Sequence, residues 1–208
     1  MPNHITNILT IQGEENKVVA CLAAIKSIAE DEGGTREIDF NKIIPMPPEL
    51  NITSDGLVGH FENQFMVTLP VKLLKDALMS AKEDTVENFC NGVKNLNKHG
   101  FSTWYGWSCH HWGTKWNAYE TKVTGEHQIT FDTAWNTPRP IFAALSTKWP
   151  DLSFHVEYAD EDIGSNCGSI VYRKGVCEEL DIADSDTFAK RVEGWEDDDD
   201  DEDVKEAA

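Results

Sequence analysis

The strongest constraint on the fold is an order of local patterns in which a strand is followed by a helix, twice. Residues 5–11 alternate, with Ile5, Leu9 and Ile11 on one face, as in a half-buried strand. From Lys17 the apolar period becomes helical and runs toward Gly33-Gly34, where glycine can adopt a left-handed cap. The chain therefore begins with a strand and a helix.

The second half of the chain repeats this order. Residues 117–123 and 128–135 predict a hairpin, and residues 138–149 predict a helix that Pro138 opens and Pro150 closes. Residues 152–158 alternate again as a strand. Strand, helix, strand, strand, helix, strand is the split βαβ arrangement, so the sequence predicts an α+β fold with a ferredoxin-like core.

A helical insertion and a β-hairpin extension interrupt and follow that core. The proline-rich run at 45–48 ends the first part, and the helical pattern of 73–81 and 86–96 predicts an insertion, with a capping box at Asp84 and a stop at Gly100. We assign 1–48 and 104–168 to the core, 49–103 to a mainly helical insertion, 169–195 to a hairpin and short helix, and 196–208 to a disordered acidic tail.

The charge balance limits the kind of partner. The chain has 37 acidic and 18 basic residues, for a net charge of −19, and the segment Glu196–Glu206 contributes −8 of it. Nucleic-acid affinity depends on cations that displace condensed counterions, so direct binding to DNA or RNA is disfavoured. A basic protein partner is favoured instead.

Apolar runs and cysteines indicate the compartment. No run approaches the roughly 18 apolar residues of a membrane span, and the first residues lack the pattern of a signal peptide. The cysteines (Cys21, Cys90, Cys109, Cys167 and Cys177) are odd in number and form no C-x-x-C pair, so we expect reduced, mostly buried thiols. These features predict a cytoplasmic protein.

Four sequence blocks carry a family resemblance: Pro2–Asn7, Ile38–Pro47, Trp112–Ala118 and Phe131–Trp135. In this order they resemble the YubB-type ferredoxin-like family of plasmids and tailed phages, over about residues 1–168. The resemblance implies the ferredoxin-like fold and carriage on mobile elements, and it supplies no catalytic residue. Plasmid members accompany anti-restriction and single-strand-binding genes, which implies a counter-defence role by association.

One segment holds most residues of chemical interest. Trp104 to Trp116 has too much glycine for a helix, and its tryptophans suit either core anchoring, which we favour, or a base-stacking platform. Cys109, His110 and His111, with Asp132, offer the residue types of a metal- or nucleotide-dependent enzyme. Adjacent ligands point in different directions and no hydrolase, phosphate-loop or zinc-protease motif occurs, so we predict no catalytic residue, metal or cofactor.

The acidic segments support a binding function instead. We predict a non-enzymatic accessory protein that binds and inhibits a basic host protein, such as a nuclease, an immune effector or a nucleoid protein, by acidic mimicry of nucleic acid. The alternatives are the enzyme above, nucleic-acid binding through the sheet, and acids that serve solubility alone. The predicted partner-binding residues are Trp104, Trp107, Trp112, Glu157, Asp160, Glu161, Asp162, Asp197, Asp198, Asp199 and Asp200.

Overall fold

The computed structural model describes residues 2–29, 34–54, 79 and 82–195. The strands are β1 (His4–Gln12), β2 (Ser27–Ala29), β3 (Gly34–Arg36), β4 (Tyr119–Gly125), β5 (Gln128–Ala134), β6 (Ser153–Asp160), β7 (Gly168–Arg173) and β8 (Val176–Leu180). The helices are α1 (Glu15–Ile25), α2 (Phe40–Ile43), α3 (Glu83–His99), α4 (Trp104–His111), α5 (Arg139–Lys148) and α6 (Ser185–Glu193), with a 3₁₀ turn at Pro48–Leu50.

The main sheet has six antiparallel strands in the order β4-β5-β1-β6-β7-β8, and β2 pairs with β3 in a separate two-stranded sheet. The strands β4, β5, β1 and β6 form the split βαβ arrangement, because β1 lies between β5 and β6. Helices α1 and α5 make the connections. The hairpin of β7 and β8 extends this sheet at the β6 edge. The predicted ferredoxin-like α+β fold is confirmed.

The main core lies on one face of the sheet. Alternate residues of β1 (Ile5, Leu9 and Ile11) pack with apolar residues of α1 and α5. Fully burying a side chain of this size contributes about 1.5 to 3 kcal/mol, so the alternation in β1 fixes which face α1 and α5 cover.

A second, smaller cluster lies on the other face, where α6 packs against β1 and β6. Ala189 and Val192 of α6 meet Ala159 and Ile8 of the sheet. The Asp184 side chain caps α6 by accepting from the Asp186 N–H, and Gly194 ends it in the left-handed conformation. The predicted hairpin and short terminal helix are both present.

Several local predictions were wrong. The first helix ends at Ile25, because Lys26 is extended and residues 27–29 enter β2. The residue before α3 is Lys82 and makes no side-chain cap, so the Asp84 capping box is absent, although Gly100 ends α3 as predicted. The helix predicted at 73–81 lies almost entirely outside the described residues.

The segment predicted to be too rich in glycine for a helix also forms one. The Thr103 hydroxyl accepts from the Tyr105 N–H and caps α4, and burial of Trp107 and Ser108 stabilises it despite Gly106. None of the helices in the described part of the chain combines the length and apolar character needed to cross a bilayer.

Candidate interaction surface at the acidic end of the sheet

One end of the sheet gathers acidic segments that are far apart in sequence. There β1 begins, and β5, β6 and β8 end, because His4 pairs with Ala134 and Ile5 pairs with Asp160. The loop after β6 lies tightly against the start of α6, since a Cβ at Gly164 would overlap the Asp186 carboxylate. We call this region the acidic end; it contains Asp160, Glu161, Asp162, Asp184 and Asp186.

Asp160 is the buried hydrogen-bond acceptor at the centre of this region. It is buried, and its carboxylate accepts from the Asn3 and Asn166 side-chain amides, both at 3.2 Å, and from the Asp162 N–H at 3.0 Å. The Glu161 N–H donates to the His4 carbonyl at 3.0 Å. Asp160 was predicted to contact a partner, but its burial makes it a positioning residue that holds Glu161 and Asp162 at the surface.

The other predicted acidic contacts that the structure describes fall into two groups, one paired and one exposed. Glu157 is half-buried and accepts two bonds from the Arg191 guanidinium, at 2.7 and 3.1 Å, so its charge is already paired. Glu161 and Asp162 are exposed and, among the described residues, form no ion pair. The predicted contacts Asp197, Asp198, Asp199 and Asp200 lie outside the described residues.

The tryptophans of α4 and its end serve the core. Trp107 and Trp112 are only 5% and 4% exposed, so neither of these predicted contacts lies at the surface. The Trp112 indole N–H donates to the Ile44 carbonyl at 2.9 Å, and its ring packs edge-on against Phe40. Trp104 is half-buried, edge-on to Tyr105. The core-anchor interpretation is therefore confirmed for Trp107 and Trp112.

Two other tryptophans, Trp116 and Trp135, form an exposed aromatic patch beside Lys115. They are 38% and 37% exposed, and the Lys115 ammonium lies 4.6 Å from the Trp116 ring centre and 5.0 Å from the Trp135 ring centre. Both distances are within the range of cation–π attraction. We call Trp116 and Trp135 the tryptophan pair; neither was among the contacts predicted from the sequence.

Trp135 has a backbone conformation that bulky residues rarely adopt, with φ of 73°. Its N–H donates to the Asn3 carbonyl at 2.9 Å, and its carbonyl accepts from the Asn166 amide at 3.1 Å. Strained residues of this kind persist only where their surroundings fix them, and they concentrate at functional sites.

The tryptophan pair and the acidic end belong to one bonded unit. Asn3 and Asn166 each bond both Trp135 and Asp160: the Trp135 backbone pairs with the Asn3 carbonyl and the Asn166 amide, and the Asp160 carboxylate accepts from both amides. The backbone of Trp135 and the loop carrying Glu161 and Asp162 are therefore held in fixed relation.

A polar cluster lies beside this unit on the α6 face of the sheet. The Thr6 hydroxyl donates to Asp132 at 3.2 Å, and the Tyr119 hydroxyl is 2.8 Å from His4 Nδ1. Burial raises the pKa of Asp132, although the Thr6 bond opposes the shift, and burial raises the pKa of Tyr119 to about 12. The pKa of Glu193 is raised by burial and by the negative charges of Asp132 and Asp160. Carboxyl groups are therefore crowded on this face of the sheet.

The alternative enzyme centre was predicted from Cys109, His110, His111 and Asp132. In the described part of the chain these residues do not form a group of metal ligands. His111 lies on α4, where its ring stacks on Trp107 and its Nδ1 is 3.0 Å from the Trp107 carbonyl. Asp132 lies on β5 and bonds Thr6. The group of three potential metal ligands that the described structure does bring together is elsewhere and includes neither Cys109 nor His110.

Comparison with known proteins supports the fold. Residues 111–206, a little under half of the chain, match a family model described as a ferredoxin-like domain in Api92-like protein. The crystal structure of a protein api92 from Yersinia pseudotuberculosis matches with a TM-score of 0.41 and 12% identity, covering 88% of this chain and 99% of that chain. A likeness of that degree transfers neither a site nor an activity. No curated protein matches the chain.

Proposed function

We propose that this protein is a non-enzymatic accessory protein of a mobile element, carried by a phage or plasmid, that acts in the host cytoplasm. It binds a basic host protein, a nuclease, immune effector or nucleoid protein, and occupies that protein's nucleic-acid site. The acidic end replaces the phosphates of the displaced nucleic acid.

The observation that carries this proposal is the sharing of Asn3 and Asn166 between Trp135 and Asp160. It supports a built contact surface, because the same two residues hold the Trp135 backbone, whose indole is exposed, and the loop that carries two exposed carboxylates, Glu161 and Asp162. Preorganised groups lose less conformational entropy on binding than mobile ones.

The two parts of this surface have different expected roles. Trp116 and Trp135 supply the apolar area that dominates interface energy, because buried aromatic side chains are the commonest hot spots. Glu161 and Asp162, within a chain of net charge −19, attract a basic surface over a distance and accelerate encounter. The partner surface that fits is a cationic groove with an apolar pocket for an indole.

Direct binding of nucleic acid is less well supported. In sheet-based RNA binders the bases stack on the open face of a ferredoxin-like sheet. Here α6 packs on that face over Ile8 and Ala159, and Asp132 and Glu193 add carboxyl groups beside it. A phosphate backbone would meet negative charge there.

The test is affinity capture from host lysate, with quantitative mass spectrometry, using the full chain and two variants. In the first variant, Trp116→Ala and Trp135→Ala remove the anchors; in the second, Glu161→Gln and Asp162→Asn remove two charges. We expect each to reduce recovery of the same basic protein at least tenfold, and added salt to reduce recovery by the wild type.

Two matched controls separate this surface from general acidity. Glu83→Gln with Glu87→Gln removes the same charge from exposed positions of α3, and Ile28→Ala removes an exposed apolar side chain on β2. Both should retain wild-type recovery. Equal losses in the Glu83 and Glu161 variants would show that net charge alone acts, and retention of labelled oligonucleotide by the wild type would contradict the proposal.

A further inference from the structure

A second group of chemically active side chains lies at the opposite end of the sheet. Ligand atoms of Glu15, Glu126 and His127 all lie within 4.8 Å of one another. Glu126 and His127 form the turn between β4 and β5, and that turn is next to Gln128, which pairs with Thr10 near the end of β1. The group is therefore separate from the acidic end and from the tryptophan pair.

The backbone holds these residues firmly. The Ile11 N–H donates to the His127 carbonyl at 2.9 Å, which ties the hairpin turn to β1. Glu15 is the first residue of α1, whose first turn follows β1 after a short loop. The three side chains thus come from the first turn of α1 and from the β4–β5 turn, which is tied to β1.

The distances match the coordination sphere of one transition-metal ion. His127 Nε2 lies 3.2 and 3.1 Å from the two carboxylate oxygens of Glu15. Bond lengths of about 2.0 to 2.2 Å to nitrogen and oxygen put neighbouring ligand atoms about 3 to 3.5 Å apart around a tetrahedral ion. Glu126 offers a third ligand atom within 4.8 Å of both.

The charges also leave one carboxylate available to a cation. Glu126 is exposed and, in the described ranges of the chain, has no ion-pair or hydrogen-bond partner, whereas the other exposed acid near the start of α1, Glu14, pairs with Lys17. The contact of Glu15 with His127 is an ion pair only when the imidazole is protonated. A divalent ion would neutralise both carboxylates and replace that proton.

We propose that Glu15, Glu126 and His127 bind a divalent transition-metal ion of the Zn²⁺ type. One imidazole and two carboxylates suit Zn²⁺, Co²⁺ or Ni²⁺ better than Mg²⁺ or Ca²⁺, which prefer oxygen-only sites. Three protein ligands leave at least one coordination position for water or another donor. Two clefts, of about 450 and 390 Å³, adjoin the residues Gly125 to Gln128 and give solvent and small molecules access.

The experiment measures metal binding by the untagged, chelator-treated full chain. Isothermal titration with Zn²⁺ in excess Mg²⁺, which occupies the weak acidic sites, should show one ion bound per chain. Co²⁺ should give visible absorption bands characteristic of a site containing nitrogen. We expect His127→Asn and Glu126→Gln each to weaken Zn²⁺ binding at least tenfold, because each removes a direct ligand.

His110→Asn is the matched control, since His110 is exposed on α4, and it should bind Zn²⁺ like the wild type. Circular dichroism and thermal unfolding of each variant establish that the fold is intact. Unchanged Zn²⁺ binding in folded His127→Asn protein, or no binding below millimolar Zn²⁺ in the wild type, would overturn the proposal. Neither result depends on the partner proposed above.

Discussion

Thr137 donates a hydrogen bond from its hydroxyl to the side-chain carbonyl of Asn7 at 2.7 Å, in a fully buried part of β1. The Asn7 amide donates in turn to the Thr133 hydroxyl and to the Ile5 carbonyl, both at 2.9 Å. This network joins β1, β5 and the segment before α5. It satisfies a polar side chain that would otherwise be costly in the core.

The network gives a stability prediction. Thr137→Val keeps the side-chain shape but leaves the Asn7 carbonyl without its donor, so the free energy of unfolding should fall by about 1 to 3 kcal/mol in urea denaturation. Thr124→Val makes the same change at an exposed position on β4, where water replaces the lost bonds, and should stay within about 0.5 kcal/mol of wild type. Equal effects would contradict the importance of this network.

The cysteines should differ sharply in reactivity. All five are free, and the prediction that most are buried was wrong: Cys90 and Cys177 are exposed and Cys109 and Cys167 are half-buried. Burial raises the pKa of Cys21 to about 12, which suppresses its thiolate at pH 8. A short iodoacetamide pulse followed by peptide mapping should label Cys90 and Cys177 in the native protein, and Cys21 only after unfolding.

A matched variant checks that assignment. Cys90→Ser with Cys177→Ser should abolish the fast labelling and leave the melting temperature close to that of wild type, because both side chains are exposed. Labelling of Cys21 in native protein at the rate of an exposed thiol would contradict its place in the core.

The fold could be predicted because each core element carries its own local signal. The strand at 153–160 alternates in sequence, and Pro138 and Pro150 bound the helix between them. The helix α4 could not be predicted in this way. Its glycine lowers local propensity. The Thr103 cap is a local signal, but the burial of Trp107 that stabilises the helix depends on tertiary packing.

The candidate surface was predicted only in part, for two physical reasons. In the run Asp160-Glu161-Asp162 the charges are identical, yet Asp160 is buried and accepts a hydrogen bond from Asn3, 157 residues away, which no local pattern identifies. Similarly, Trp116 and Trp135 come together through the fold of the hairpin and the position of Lys115. Composition indicated an acidic protein, but only the structure shows which tryptophans are exposed.

Two glycines have the same backbone conformation but different surroundings, so alanine substitutions there distinguish backbone strain from steric overlap. Gly100 and Gly113 have φ of 78° and 79°, but a Cβ at Gly113 would lie 2.8 Å from the Pro140 ring, whereas nothing lies within 4 Å at Gly100. Gly100→Ala should cost about 1 kcal/mol for its left-handed conformation. Gly113→Ala should cost at least about 1 kcal/mol more, as measured by urea denaturation. Equal losses of stability in the two variants would mean that α5 moves away from the added Cβ at Gly113 without cost.

The crowded carboxyls near α6 predict an unusual dependence of stability on pH. Burial raises the pKa of Glu193, and Asp132 and Asp160 raise it further. A carboxyl whose pKa is raised by folding favours the folded state while protonated, and this contribution is lost as pH rises from the unfolded value of about 4.3 through the folded pKa. Deprotonation of Glu193 should therefore loosen the packing of α6 on the sheet.

Glu193→Gln tests this directly, because glutamine resembles the protonated acid at every pH. In chemical denaturation the variant should match wild type near pH 4 and become more stable than wild type as pH rises to 7. Glu178→Gln removes the same charge from an exposed position on β8 and corrects for the general relief of negative charge. If both variants gain equally at pH 7, or if Glu193→Gln is the less stable there, the carboxyl is not held in an unfavourable charged state by α6 packing.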